Sequence, residues 1–162
     1  MNALSEYLRS RISKAIFHGE TLELPTNISI ALTTDVAEAD QDGSTIPEVP
    51  TSISRSGVNE VGESGVYDYE TGYSRVNVAI PQHNGTNKWS YQDGEGVIHN
   101  LHNLVFSTCL ESWGMVSGVA ILDNENVNTG NLLFYGELEF PRNVLEGDAV
   151  KFDAEKFEVY IK

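Results

Sequence analysis

The chain has 162 residues, enough for one domain that buries a hydrophobic core without help from a metal or a disulfide. Asp and Glu total 24 against 10 Lys and Arg, and the formal net charge of −14 argues against nucleic acid and anionic membranes as partners. No apolar run approaches the roughly 20 residues that span a bilayer, and the N-terminus lacks the apolar core of a signal peptide, so we expect synthesis in the cytoplasm.

The chain begins with a predicted amphipathic helix over residues 2–18. Asn2 or Ser5 can cap its start, and Gly19 stands where a left-handed residue ends many helices. The apolar side chains recur at the spacing of one helix face: Leu4, Leu8, Ile12 and Ile16, with Ala3, Tyr7 and Ala15 alongside. This pattern predicts about four helical turns.

The predicted helix is the one net-positive segment of an acidic chain. Its polar face carries Arg9, Arg11 and Lys14 beside Glu6. One interpretation is a helix packed on the body of its own domain, and the other is an arm that docks on a partner. The sequence leaves both open, and Tyr7, Arg9, Arg11 and Lys14 are candidate interface residues.

After Pro25 the apolar period shortens from about 3.6 residues to two, which is typical of half-buried strands. Five segments show this alternation: 28–32, 76–80, 132–140, 150–154 and 157–161. The third places four side chains on one expected face across Gly136: Leu132, Phe134, Leu138 and Phe140. Two less regular apolar runs, 101–110 and 113–122, are long enough for central strands.

Turn signals separate these predicted strands at Asn84-Gly85, Asp93-Gly94, Thr129-Gly130 and Gly147-Asp148. Only one convincing helix precedes them, so parallel strands with crossover helices are disfavoured. The sequence therefore predicts a mainly-β fold. We expect a single domain over 1–162, an antiparallel, jelly-roll-like β-sandwich with one N-terminal α-helix.

Residues 36–72 interrupt the strand pattern. This segment is rich in Ser, Gly, Pro, Asp and Glu and shows almost no periodicity. A connection of this length inside a small domain is usually functional or mobile. We interpret it as a long acidic loop or extended arm, with a short strand near 58–61, and not as a second domain.

No residue set forms a recognisable catalytic or metal site, so we predict a non-enzymatic protein without a cofactor. Asp40, Asp42 and Glu48 resemble a calcium loop, but Gly43 comes too early for that motif, and a solvated acidic loop is the plainer interpretation. Three other candidates are weaker still: His99 with His102 as metal ligands, Asp93 with Glu95 as paired carboxylates, and Ser117 as a nucleophile. We interpret Cys109 as a buried, unreactive thiol.

An aromatic cluster flanks the long loop: Tyr67, Tyr69, Tyr73, Trp89 and Tyr91. Aromatic side chains can pack in a core or at a sheet edge, anchor a subunit interface, or stack on sugars. Core or edge packing accounts for most such clusters. We nevertheless include all five with the helix residues as candidate interface residues.

Several motifs, taken in order, resemble a family of small bacteriophage virion structural proteins. In the N-terminal half these are a helix like 4–17, the strand 28–35, then Glu60-Val61 and Gly72-Tyr73-Ser74-Arg75. The C-terminal half is more similar, with Trp113-Gly114, the runs 118–123 and 130–136, and Gly147-Asp148. The chain departs from the family pattern in its long acidic insert.

The resemblance implies a structural protein of the phage particle, in a family labelled tail fibre that includes members similar to capsid cement or decoration proteins. We expect a capsid cement protein that bridges major capsid protein subunits, with a tail or tail-fibre-associated structural or receptor-binding protein as the alternative. The expected partners are the major capsid protein or other virion structural proteins, together with self-association. The expected location is the virion, after synthesis in the cytoplasm of a bacterial host.

Overall fold

A computed structural model describes residues 3–49, 67–80, 87–92, 94 and 96–160. One helix lies near the N-terminus, and the other elements are strands. In chain order they are β1 (Ala3–Leu4), α1 (Glu6–His18), β2 (Asn27–Thr33), β3 (Val76–Ala79), β4 (Trp89–Gln92), β5 (Val97–Asn100), β6 (Leu104–Val105), β7 (Gly114–Leu122), β8 (Leu132–Val144), β9 (Lys151–Phe152) and β10 (Glu158–Tyr160).

The strands form three antiparallel sheets. The largest has the order β1-β8-β7-β2-β3, the second has the order β10-β5-β4, and β6 pairs with β9. The expected mainly-β sandwich with one N-terminal helix is therefore confirmed. No described helix has the length and apolar character that crossing a membrane requires.

The main core lies on one face of the five-stranded sheet. Alternate residues of the two central strands point to this face, including Ile30 and Leu32 of β2 and Val119 and Ile121 of β7. They pack against side chains of the smaller sheets and their connections: Leu104, Phe106, Phe157 and Val159. Two strand layers therefore enclose one apolar interior, as period-two alternation requires.

The opposite face of this sheet is covered by the first part of the predicted acidic loop. Ala37 and Ile46 of that segment are buried against Ala31 and Ala120. The loop is held by backbone hydrogen bonds, with the Thr34 N–H donating to the Pro47 carbonyl at 2.8 Å. Residues 36–49 thus form a layer on the sheet, whereas 50–66, with the predicted strand at 58–61, lie outside the described residues.

Strand β8 does not keep the single apolar face that its sequence suggested. Ile121 pairs with Phe134 and Leu122 pairs with Leu132, so Leu133 is an extra residue at a bulge. Leu132 consequently lies with Ala37 and Ile46 on the opposite face of the sheet, while Leu133 and Phe134 face the main core. The expectation of one shared face was wrong because a bulge changes the parity of every residue beyond it.

A second irregularity lies further along β8. Val116 pairs with Arg142 and Gly118 with Glu137, so four residues, 138–141, stand opposite Ser117 alone. Leu138 packs against the main core, but Phe140 projects outward and is 78% exposed. This segment therefore places an aromatic ring on the outer surface.

The helix is anchored at its start. Ser5 is buried, its Oγ donates to the Leu132 carbonyl, and the same oxygen accepts the N–H of Leu8 at 3.1 Å. The Ser5 N–H donates to the Leu133 carbonyl at 3.0 Å. Ser5 is therefore the cap, and Gly19, with φ of 69°, ends the helix as expected. The helix starts at Glu6 and not at residue 2, because Ala3–Leu4 pair with β8.

Candidate assembly surface

The far end of α1 carries apolar side chains that its own fold does not cover. No residue of the helix is buried. Ile16 is 69% exposed, Phe17 is 81% exposed, and Leu24 in the segment after the helix is 73% exposed. We call these three residues the helix-end patch. The predicted apolar stripe is therefore only partly used within the chain: Leu8 packs against the main core, whereas Ile16 does not.

The basic side chains of α1 lie on the outer surface. Arg9 and Lys14 are exposed, and neither forms an ion pair within the described residues. Arg11 is half-buried, and its Nη2 lies 3.9 Å from Oε2 of Glu23, which is itself highly exposed. An ion pair this long and open to solvent adds little to stability. The helix thus presents positive charge that remains available to another molecule.

An apolar cleft of about 570 Å³ lies between α1 and one end of the sandwich. The helix contributes Tyr7, Leu8, Arg11 and Ile12 to it, and the return segment 22–25 closes one side. Apolar side chains from both sheets form the floor: Ile28, Trp89, Ile98, Ile121, Leu133 and Val159. The helix therefore covers this end of the core but leaves a cavity beneath it.

The indole of Trp89 is part of this cleft and has an unused donor. Its ring packs edge-on against Phe157 with centroids 6.1 Å apart. Its Nε1 is buried and donates to no acceptor among the described residues. Buried donors are usually paired, and leaving one unpaired costs roughly 1–3 kcal/mol. An acceptor supplied from outside would relieve that cost.

The other predicted aromatic residues occupy different environments. Tyr67 and Tyr69 make an edge-to-face contact with centroids 5.1 Å apart, and Tyr69 is 69% exposed. Tyr91 on β4 is 61% exposed. These rings are accessible, whereas Tyr73 is fully buried against Trp113 at 5.4 Å and cannot meet a neighbour without opening the core. The structure therefore supports the core-packing interpretation of Tyr73.

Tyr73 belongs to a buried polar cluster with Glu48 and Arg75, and sequence reasoning missed this cluster. The Tyr73 hydroxyl donates to Oε1 of Glu48 at 2.7 Å and accepts the Leu32 N–H at 3.1 Å. Burial first, and then the nearby carboxylate of Glu48, raise the pKa of Tyr73 well above its ordinary value. The sequence did contain signs of this cluster: Tyr73 and Arg75 come just before an apolar strand, and Glu48 lies between two prolines.

Two of the carboxylates that resembled a calcium loop, Asp42 and Glu48, have different environments in the structure, and the buried cluster is the reason. Glu48 points into the core to meet Arg75, whereas Asp42 lies on the surface and caps its own turn. Hydrogen bonds from the Ser44 hydroxyl and backbone N–H hold the pKa of Asp42 below its ordinary value. Among the described residues no three His, Cys, Asp or Glu side chains come together as a metal site. Asp93 and Glu95 lie outside that part of the chain.

The remaining candidates from the sequence serve local packing. Cys109 is buried, its Sγ donates to the Glu111 carbonyl at 3.1 Å, and burial raises the pKa of its thiol. The Ser117 hydroxyl donates to the Thr34 carbonyl at 2.9 Å. His99 Nδ1 lies 3.7 Å from Oε1 of Glu158 on the paired strand β10. These contacts fix the positions of loops and strands.

One comparison with known proteins matches almost the entire chain. The family model described as podophage GP4 fiber I protein gp80 matches residues 3–160. That range includes α1, every strand and the cleft between them. No curated protein matches the chain.

Proposed function

Because the chain belongs to this family of podophage fiber proteins, we propose that it is a structural component of the phage tail fibre. It is a virion structural protein, so its work is association with other proteins of the particle. The family match favours the tail-fibre alternative over the capsid cement interpretation. We propose no catalytic step and no cofactor for it.

The observation that carries the proposed mode of attachment is the helix-end patch. Ile16 and Phe17 are adjacent at the end of a helix whose start is firmly anchored, and Leu24 follows in the return segment. None of the three packs in the main core. Burying a side chain of this size against a partner contributes about 1.5–3 kcal/mol. We propose that this patch is the attachment surface for a neighbouring tail protein.

The charge of the helix supports docking on an acidic or neutral neighbour. Arg9 and Lys14 lie on the same helix as Ile16 and Phe17 and have no ion-pair partner within the described residues. Complementary charge mainly raises the association rate and selects the orientation, and its effect weakens as salt increases. Attachment should therefore combine an apolar anchor with salt-sensitive steering.

A receptor-binding role is a second candidate for a fibre protein. Tyr69 and Tyr91 are the exposed aromatic rings that favour it, since aromatic faces stack on sugars or anchor protein surfaces. They lie on different segments from the helix-end patch, so attachment and receptor contact need not compete.

Copy number in purified particles tests the location. Quantitative mass spectrometry should give a small multiple of the rotational symmetry of the tail. A number close to that of the major capsid protein would contradict the tail-fibre assignment and restore the capsid cement interpretation.

Incorporation of variants tests the attachment surface. Phages that carry Phe17→Glu should lose most of this protein from the particle, because a charge replaces the apolar anchor. Tyr91→Glu, at a similarly exposed ring, is the matched control and should be incorporated normally. Normal incorporation of the folded Phe17→Glu protein would rule out the helix-end patch as the attachment surface.

A further inference from the structure

The hydrogen bonds that hold the N-terminal arm, residues 3–18, are concentrated at its tip. There β1 pairs with β8, the Ser5 N–H donates to the Leu133 carbonyl at 3.0 Å, and the Glu6 N–H donates to the Ala39 carbonyl at 2.6 Å. No residue of α1 itself is buried, and its last three residues are exposed. The arm is therefore fastened at one end of a helix about 20 Å long and is open to solvent at the other.

The link between the arm and β2, residues 19–26, is held by few polar contacts. It contains no helix or strand, and seven of its eight residues are exposed. Within the described part of the chain, no backbone hydrogen bond involves residues 21–25. The ion pair of the link with the helix, between Arg11 and Glu23, is 3.9 Å long and open to solvent. Moving the link away from the body therefore breaks few hydrogen bonds.

The groove that holds the tip is formed by other parts of the chain. Strand β8 supplies the carbonyls of Leu132 and Leu133, and the covering loop supplies that of Ala39. Leu8 packs against the main core beside them. Each copy of the chain carries this groove together with a tip that fits it. The same contacts form whether the tip comes from its own chain or from a neighbour, so exchange requires no new complementary surface.

From this arrangement we propose that neighbouring copies of the chain exchange their N-terminal arms, so that β1 and Ser5 of one copy occupy the groove of the other. Reciprocal exchange gives a symmetric pair that keeps every contact of the tip. The helix and an extended link together span roughly 45 Å, which is enough to reach an adjacent subunit. This contact goes beyond the proposed attachment to the tail, because it joins copies of this chain and does not use Phe17.

Concentration decides between the closed chain and the exchanged pair. Both forms make the same contacts at the tip, so neither is favoured by that interface. A short link keeps the arm near its own groove at an effective concentration of roughly millimolar. Exchange therefore competes with the closed chain where copies are crowded together, and dilute chains should be monomeric.

Cysteine cross-linking between separate variants tests the exchange. Glu6→Cys in the tip and Ala39→Cys in the groove lie at a backbone hydrogen bond, so a chain with both should form a disulfide within itself. The two single variants are unfolded, mixed at roughly millimolar concentration and refolded together. Oxidation should then give a covalent dimer of one copy of each. Cys109 is buried and should not compete.

Asn27→Cys and Ala79→Cys are the matched control. These positions pair directly between β2 and β3, which both lie on the body side of the link. A chain with both cysteines should again form a disulfide within itself. A refolded mixture of the two single variants should give no covalent dimer above the level of chance collisions, because exchange of arms does not bring these positions together.

The length of the link provides a second, independent test. Deletion of residues 20–22 leaves five residues between the helix and β2 and keeps Leu24 in the chain. A shorter link strains the return of the chain to its own body, so sedimentation should show severalfold more dimer than for the wild type. Insertion of Gly-Ser-Gly after Gly19 should change the dimer fraction by less than about twofold.

Two results would overturn the proposal. One is a mixture of the Glu6→Cys and Ala39→Cys variants that gives no more covalent dimer than the control mixture. The other is a dimer fraction that does not respond to the shortened link, since an ordinary surface contact would be indifferent to it. Neither result depends on whether Phe17 attaches the protein to the tail.

Discussion

Arg75 and Glu48 form a two-pronged ion pair in which Nε meets Oε1 and Nη2 meets Oε2, both at 2.9 Å. Their side chains are 0% and 3% exposed. The third nitrogen, Nη1, donates to the carbonyls of Asn124 and Thr129 at 2.9 Å each. The pair therefore ties the covering loop and the β7–β8 connection to the start of β3.

Removing the carboxylate charge should destabilise the fold strongly. Burial alone would lower the pKa of Arg75, but hydrogen bonds and charge from Glu48 more than offset burial and raise it, so the guanidinium stays charged. Glu48→Gln leaves that charge buried without a counter-ion, which costs about 3–5 kcal/mol. The free energy of unfolding in urea measures this loss. Glu38→Gln, at an exposed position, should change it by less than about 0.5 kcal/mol.

Stability should fall at alkaline pH because of Tyr73. The pKa of Tyr73 is raised in the folded chain, so its contribution is complete below the pKa of an unfolded tyrosine. Above that pH the unfolded chain loses the proton and the folded chain keeps it. The free energy of unfolding then falls by about 1.4 kcal/mol per pH unit until the folded pKa is reached.

Urea titrations between neutral and strongly alkaline pH test this dependence. Tyr73→Phe should be less stable at neutral pH but should lose the Tyr73 part of the alkaline slope. Tyr91→Phe, at an exposed ring, should keep the wild-type slope. Equal slopes for wild type and Tyr73→Phe would show that the buried hydroxyl does not control the transition.

Gly43 should tolerate no side chain. A Cβ atom there would lie 1.8 Å from the carbonyl oxygen of Thr129, which belongs to the backbone and cannot turn aside. Gly43→Ala must move the covering loop off Thr129 and should cost about 2 kcal/mol or more. Gly19→Ala is the control, because φ of 69° strains it while nothing lies within 4 Å. It should cost about 1 kcal/mol, and thermal unfolding compares the two.

Loss of the helix cap should loosen α1 from the sheet. Ser5→Ala removes the acceptor for the Leu8 N–H and the hydrogen bond to Leu132, so it should cost about 1–2 kcal/mol. Amide hydrogen exchange should accelerate through the first turn. Ser10→Ala, on the exposed face of the helix, should leave exchange at Leu8 unchanged.

The features that local chemistry controls were predictable from the sequence. Ser5 and Gly19 bound the helix because capping depends on a few adjacent residues. Period-two alternation identified the strands around Ile30 and Val78, since one face of each strand must be buried. The mainly-β architecture follows from those local rules.

Features that depend on distant contacts were not predictable in the same way. A bulge at Leu133 leaves no mark in the apolar pattern, because Leu132, Leu133 and Phe134 are all apolar. Ala37 and Ile46 are two apolar residues in an acidic segment, and two such residues do not predict a buried layer. The cleft beneath α1 is formed by residues from the helix and six of the strands, so only the assembled fold reveals it.

The anchor between Ser5 and Leu132 joins residues 127 positions apart. During translation α1 is made long before the strand β8 that fixes its direction. Contacts so distant in sequence form late and slowly. A chain interrupted before β8 should therefore carry Phe17 on a helix whose direction is not fixed. The proposed attachment surface therefore depends on a contact that is possible only once β8 has been made.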